Sequence, residues 1–274
     1  MSIKLVTDST FCIGREFAEK HGITTVSLTI RFSDFEYVDG FPEDYAEFYD
    51  KLEKSKEFPK TSQPSPEKFA EVFRKITSEG HEVICLTLAS ALSGTYESAF
   101  AAAEGMNGVS VVDTQTVCQS ALLLVEEALG MIEAGASRAE IVEKLQVLRE
   151  KALIEFVPQN LEYLKRGGRM SHLQVAVASV LRVKPVFRFR QNALTVAKKA
   201  LGMHLAVSEL VAQIPSTVKK LFAVQIGSGS PFFDSLIAKI KEKFEGVAIR
   251  IGQISPVVGV HVGPGSIGFA CISD

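Results

Sequence analysis

Residues 83–96 read VICLTLASALSGTY, and no other stretch limits the possible folds as much. The apolar, β-prone run from Val83 to Leu88 predicts a buried strand. The small polar segment from Ala89 to Thr95 predicts a turn, and the alanine-rich run from Thr95 to about Met106 predicts a helix. Strand, short turn and helix in that order build a parallel sheet through crossovers. The same order sets Ser93 beside a helix N-terminus, where unpaired N–H groups and the positive end of the helix dipole favour an anion. Ser93 therefore has two readings, a helix cap or a hydroxyl for a ligand, and the local sequence leaves both open.

The flanking chain repeats the alternation. Residues 3–7 predict a strand ending at Asp8-Ser9-Thr10, residues 14–21 a helix closed by Gly22, and residues 24–32 one strand. Two short helical pieces are expected within 35–58. Thr61-Ser62-Gln63-Pro64-Ser65-Pro66 reads as a rigid polar loop, since each proline holds the residue before it extended. Ser65, Pro66 and Glu67 start the next helix as cap, first residue and acidic first turn, which leaves the Thr61 and Ser62 hydroxyls without a capping duty. A strand at 109–112, a helix at 117–133 and a helix opened by the capping box Ser137/Glu140 continue the series. Parallel sheets bind ligands beyond the C-terminal ends of their strands, and Asp8, Ser93 and Asp113 all follow strands in that position.

The second half changes character. A strand at 154–157 and a helical turn at 161–165 lead to Gly167-Gly168 and a mostly apolar helix at 170–182. A hairpin turning at Gln191-Asn192, a helix at 201–214, a strand at 221–227, a helix at 231–244 and a strand at 247–254 follow. A segment interrupted by Gly263-Pro264-Gly265 closes the chain. The expected fold is α/β in two domains. Residues 1–156 carry a mainly parallel sheet with helices on both faces, and residues 157–274 carry a mixed sheet with helices.

Several function classes are excluded by what is missing. The net charge of −2 is spread evenly and offers no basic patch for nucleic acid. Apolar residues make up 46%, enough for a large core, but the longest apolar stretches are strand-length or are broken by Glu, Gln, Arg or Lys, too short to span a membrane. With a strand at the N-terminus and no leader pattern, the expected location is the cytoplasm, with Cys12, Cys85, Cys118 and Cys271 reduced. The five dispersed histidines show no metal-ligand spacing, and neither a phosphate loop nor a G-x-S-x-G nucleophile elbow occurs, so no cofactor is expected.

His261, within VGVHVGPG, is either a satisfied core histidine or a donor to a ligand. Arg166 and Arg169 bracket the Gly167-Gly168 turn as solvated loop charges or as a docking point for phosphate or carboxylate. Taken together, TDST at 7–10, TSQPSP at 61–66, SALSGTY at 90–96, LEYLKRGGRMS at 161–171 and HVGPGSIG at 261–268 resemble the DegV family of bacterial fatty-acid-binding proteins. That family includes the binding subunits of fatty acid kinase. One departure is Val117-Cys118-Gln119, where the family has a smaller, glycine-containing helix start.

The resemblance implies an acyl chain buried at or near the junction of two α/β domains. Thr61, Ser93 and His261 match the family's carboxylate-binding residues, with Ser62 and Gly94 beside them. It implies a long-chain fatty acid as ligand. It also implies an ATP-binding kinase subunit as partner, met through Arg166 and Arg169, which phosphorylates the presented carboxyl group. On this reading the chain is not itself an enzyme. The rivals are an acyl hydrolase or transferase with Ser93 as nucleophile and His261 as base, and a carrier of another apolar ligand.

Overall fold

The computed structural model describes residues 2–55, 57–169 and 183–273. The first half contains β1 (Ile3–Asp8), α1 (Arg15–His21), β2 (Thr24–Val26), β3 (Thr29–Arg31), β4 (Glu36–Val38), α2 (Tyr45–Lys54), β5 (Lys60–Ser62), α3 (Pro66–Ser78), β6 (Glu82–Thr87), α4 (Thr95–Ala103), β7 (Val109–Asp113), α5 (Cys118–Glu133) and α6 (Arg138–Leu148). The second half adds β8 (Ala152–Val157), α7 (Leu161–Arg166), β9 (Val183–Arg190), β10 (Ala193–Leu201), α8 (Met203–Gln213), β11 (Lys220–Gln225), α9 (Pro231–Lys243), β12 (Ala248–Gln253), α10 (Pro256–Val262) and β13 (Ile267–Ile272).

Strands β2, β1, β6 and β7 form a parallel sheet in that order. A mixed sheet runs β10-β9-β8-β13-β11-β12, antiparallel throughout except for the parallel pair β11/β12. This is the α/β architecture expected from the sequence. The expected boundary at Phe156 falls inside β8, a central strand of the mixed sheet. The apolar helix expected at 170–182 lies outside the described residues.

Three local expectations are corrected. Residues 24–32 are two strands: β2 joins the parallel sheet, while β3 pairs antiparallel with β4 and β5 in a small third sheet. The break has a physical cause, because the N–H of Leu28 donates to Ser9 Oγ at 3.1 Å while the Leu28 carbonyl accepts from Asp39 N at 2.9 Å. The chain is thereby diverted between the two sheets. Thr61 and Ser62 belong to β5 rather than to a loop, while the two helical pieces expected within 35–58 are a single 3-10 turn at Pro42–Asp44 and α2, with β4 before them. Ser65 occupies the cap position of α3, yet its side chain makes no capping hydrogen bond.

Helix α5 joins the two large sheets. Every residue from Cys118 to Val125 is buried, the mark of a helix enclosed on all sides. It packs on β8, β11 and β13 and on the turn after β1. One apolar cluster consequently runs from Phe11 and Leu86 through Leu123 to Ile154, Phe187 and Phe222. Cys118, at the start of this helix, has φ 57°, a left-handed conformation that glycine adopts most cheaply.

Candidate functional site

The loop after β6 is held by two carboxylates from the neighbouring strands. Asp8, at the end of β1, accepts from Leu88 N at 2.7 Å and from Thr10 N and Oγ1. Burial pushes its carboxyl up to about 6 against those hydrogen bonds. Asp113, at the end of β7, accepts from Ser90 Oγ at 2.6 Å and Ser90 N at 3.2 Å. The two aspartates that follow strands therefore position the loop, which leaves Ser93 as the group offered outward.

Gly94 is the cap residue of α4 and no side chain caps that helix. Ser93 Oγ lies 2.9 Å from Thr95 Oγ1, so the capping reading of Ser93 falls away. Gln63, unmarked in the sequence reading, donates through Nε2 to Gly94 O and to Ser98 Oγ, each at 2.9 Å. Its amide fills the space that a Cβ on Gly94 would need.

Thr61 pairs with Ile30 of β3 and its Oγ1 lies 2.9 Å from His261 Nε2. Strand alternation turns Ser62 the other way; it is exposed and does not line the cavity described below. His261 sits in the last turn of α10, a helix opened by the Ser255 cap and Pro256. Its Nδ1 is shielded from solvent, has no hydrogen-bond partner among the described residues, and lies against the Gly167 backbone. Burial, then the nearby positive charge of Arg169, lowers the His261 pKa to about 4, with the Gly167 backbone acting in the opposite direction. The ring is therefore neutral at pH 7.

The two arginines expected to share one surface part company. Arg166 is exposed, ion-paired with Glu162 at 2.7 Å and stacked 4.1 Å over the Phe58 ring. Arg169 turns inward, donating from Nε to Leu92 O at 3.2 Å and from Nη1 to Gly167 O at 2.7 Å. Burial lowers its pKa from the ordinary arginine value.

These groups share one cavity with about 1070 Å³ of atom-free space, mouth included. Thr61, Gln63, Ser93, Arg169, His261 and Ser266 are its polar lining, and the rest is apolar apart from Gly94 and the Cys118 thiol. One wall is a face of the mixed sheet, where Ile154, Phe189 and Leu194 lie in register across β8, β9 and β10 and Phe156 and Val224 continue the surface. Leu28, Leu88, Leu92 and Val117 line it as well. The signal for this wall in the sequence is the period-two spacing of Ile154 and Phe156 on one strand and the apolar Phe189 on the next.

Residues 2–274 match the family described as "Uncharacterised protein, DegV family". The chain belongs to the DegV family. A DegV domain-containing protein of Halalkalibacterium halodurans is 32% identical over 275 residues, covering 98% of this chain and 97% of the relative. Among solved structures, a DegV family protein of Thermus thermophilus described by its fatty acid binding has 30% identity and a TM-score of 0.87, with both chains fully covered. Bacillus subtilis DegV, described as a fatty acid binding protein, has 28% identity, a TM-score of 0.87 and the same coverage. No helix among the described residues is long and apolar enough to cross a membrane.

Proposed function

We propose that this chain binds a long-chain fatty acid. The carboxylate sits among Thr61, Ser93, His261 and Arg169, with Gly94 beside it, and the tail lies along the apolar face of the mixed sheet. The observation that carries this reading is the cavity in which Thr61, Ser93, His261 and Arg169 converge, with Gln63 and Ser266 as the other polar lining and the rest apolar apart from Gly94 and the Cys118 thiol. The fatty acid binding described for the Thermus and Bacillus relatives supports it. Each buried methylene contributes about 0.8 kcal/mol, so a long tail gains on the order of 10 kcal/mol. A hydrogen bond to the charged head group adds about 1.5–3 kcal/mol. The tail therefore dominates affinity and the polar cluster decides which end faces the mouth. Ser62, exposed and outside the cavity, has no part in this ligand set.

The test is titration of delipidated protein with a long-chain fatty acid and with the alcohol of equal chain length. Saturable binding of both, tighter for the acid, is expected. Failure of either to saturate refutes the reading.

The resemblance extends the proposal to a division of labour in which a separate ATP-binding kinase subunit phosphorylates the presented carboxyl group. The absence of a phosphate loop from the sequence is consistent with that, and Arg166, being exposed, is the arginine available to a partner. Arg166→Glu should abolish acyl phosphate formation in a two-component assay while the fatty-acid content stays unchanged. Loss of the bound acid instead would remove Arg166 from the partner surface. A hydrolase would need Ser93 Oγ to exchange its hydrogen bond to Thr95, and His261 Nε2 its hydrogen bond to Thr61, for one between the two.

A further inference from the structure

The turn of the β9–β10 hairpin reaches the loop that carries Ser93, although hairpin and loop belong to different sheets. Gln191 and Asn192 have φ of 51° and 60°, the positive values that a two-residue type I′ turn requires and that asparagine tolerates. Asn192 Nδ2 donates to Asp113 Oδ2 at 3.0 Å and to Ser90 Oγ at 3.2 Å. Its Oδ1 accepts from Ala91 N at 3.4 Å, and its backbone N–H donates to Gln115 O at 3.2 Å. Asp113 also accepts from Ser90 Oγ, Ser90 N and Gln115 N. One carboxylate thus gathers the β6 loop, the β7 turn and the hairpin tip.

The segments leaving this knot form the cavity. Ser90-Ala91 runs directly into Leu92 and Ser93, while Phe189 and Leu194 flank the hairpin tip, and all four of these residues line the pocket. The Asn192–Asp113 hydrogen bond ties the hairpin of the mixed sheet to the strand end and loop of the parallel sheet. We propose that Asn192 and Asp113 are positioning residues that lock the hairpin wall of the cavity onto the Ser93 loop and so set how fast a bound fatty acid leaves. The proposal rests on the fatty-acid reading above; its residues touch the loop, not the ligand.

The test uses the full chain and three variants. Asn192→Gly keeps the positive φ at no steric cost and removes the amide. Asn192→Asp sets a second carboxylate against Asp113. The double variant Asn192→Asp with Asp113→Asn restores an amide–carboxylate pair with the roles exchanged. Dissociation of a labelled long-chain fatty acid should quicken about tenfold, equivalent to about 1.4 kcal/mol, in both single variants and return to the wild-type rate in the double variant. Hydrogen exchange of the backbone at 89–95 in ligand-free protein should follow the same order. Unchanged dissociation in Asn192→Gly, or no recovery in the double variant, overturns the proposal. If the wild-type chain takes up no fatty acid, the binding reading fails by itself. Hydrogen exchange then still decides the clasp, which is refuted if exchange at 89–95 is unaltered in Asn192→Gly.

Discussion

Replacing Gly167 by Ala would place a methyl group 2.5 Å from His261 Nδ1 and 3.0 Å from the Tyr163 carbonyl oxygen. The backbone at Gly167 has φ −66° and ψ −10°, open to any residue, so the cost comes from crowding alone. Overpacking of this kind costs about 1–3 kcal/mol. Part of the relief is displacement of the imidazole, which breaks the 2.9 Å contact with Thr61. Gly168 offers the contrast. Its φ is +73°, and a Cβ there meets no described atom within 4 Å. Gly168→Ala therefore costs about 1–2 kcal/mol in backbone strain while His261 stays in place. Urea denaturation of the two ligand-free variants should show comparable losses of stability. Titration with fatty acid should show about tenfold weaker binding, or about 1.4 kcal/mol, for Gly167→Ala only. Equal affinity of the two variants would refute the link between Gly167, the His261 ring and the carboxylate.

Two further outcomes are expected. His261, lowered to about 4 from 6.5, takes up a proton on unfolding across that interval. Its contribution to stability is whole above pH 6.5 and falls by about 3 kcal/mol by pH 4. Asp8, raised to about 6 from 3.8, releases a proton on unfolding and opposes that slope. The stability difference between wild type and His261→Gln isolates the histidine, and a difference that does not change between pH 6.5 and 4 contradicts the assignment. Ser93→Ala should change the melting temperature of ligand-free protein little, since α4 has no side-chain cap to lose. It should weaken fatty-acid binding by about 1.5–3 kcal/mol; a large drop in melting temperature with unchanged affinity would make Ser93 structural.

The sequence carries the parallel-sheet unit because its signals are local. Val83–Leu88 is apolar and β-prone, the turn is made of small residues and the helix is alanine-rich, so β6 and α4 are visible within the 22 residues 82–103. The hairpin at Gln191-Asn192 is legible for the same reason, as is the capping box at Ser137 and Glu140. Thr61, Ser93 and His261 were named through the family resemblance, and the structure gathers them around one cavity. What escaped the sequence depends on distant partners. Arg169 reads with Arg166 as a loop charge or a partner-docking point until its Nε is seen on Leu92 O and the His261 ring, 92 positions later, against Gly167, and Gln63 acquires a role only because Gly94 has no Cβ. The split between β2 and β3 likewise depends on Ser9 and Asp39, which lie outside any local window around Leu28.

The central claim is that the cavity holds a fatty acid. Mass spectrometry of an organic extract of the purified chain, paired with uptake of isotopically labelled fatty acid by delipidated protein, tests it most directly. One equivalent of a long-chain fatty acid per chain, replaced by the labelled acid on incubation, is the expected result. An extract free of fatty acid together with no uptake of label would contradict it.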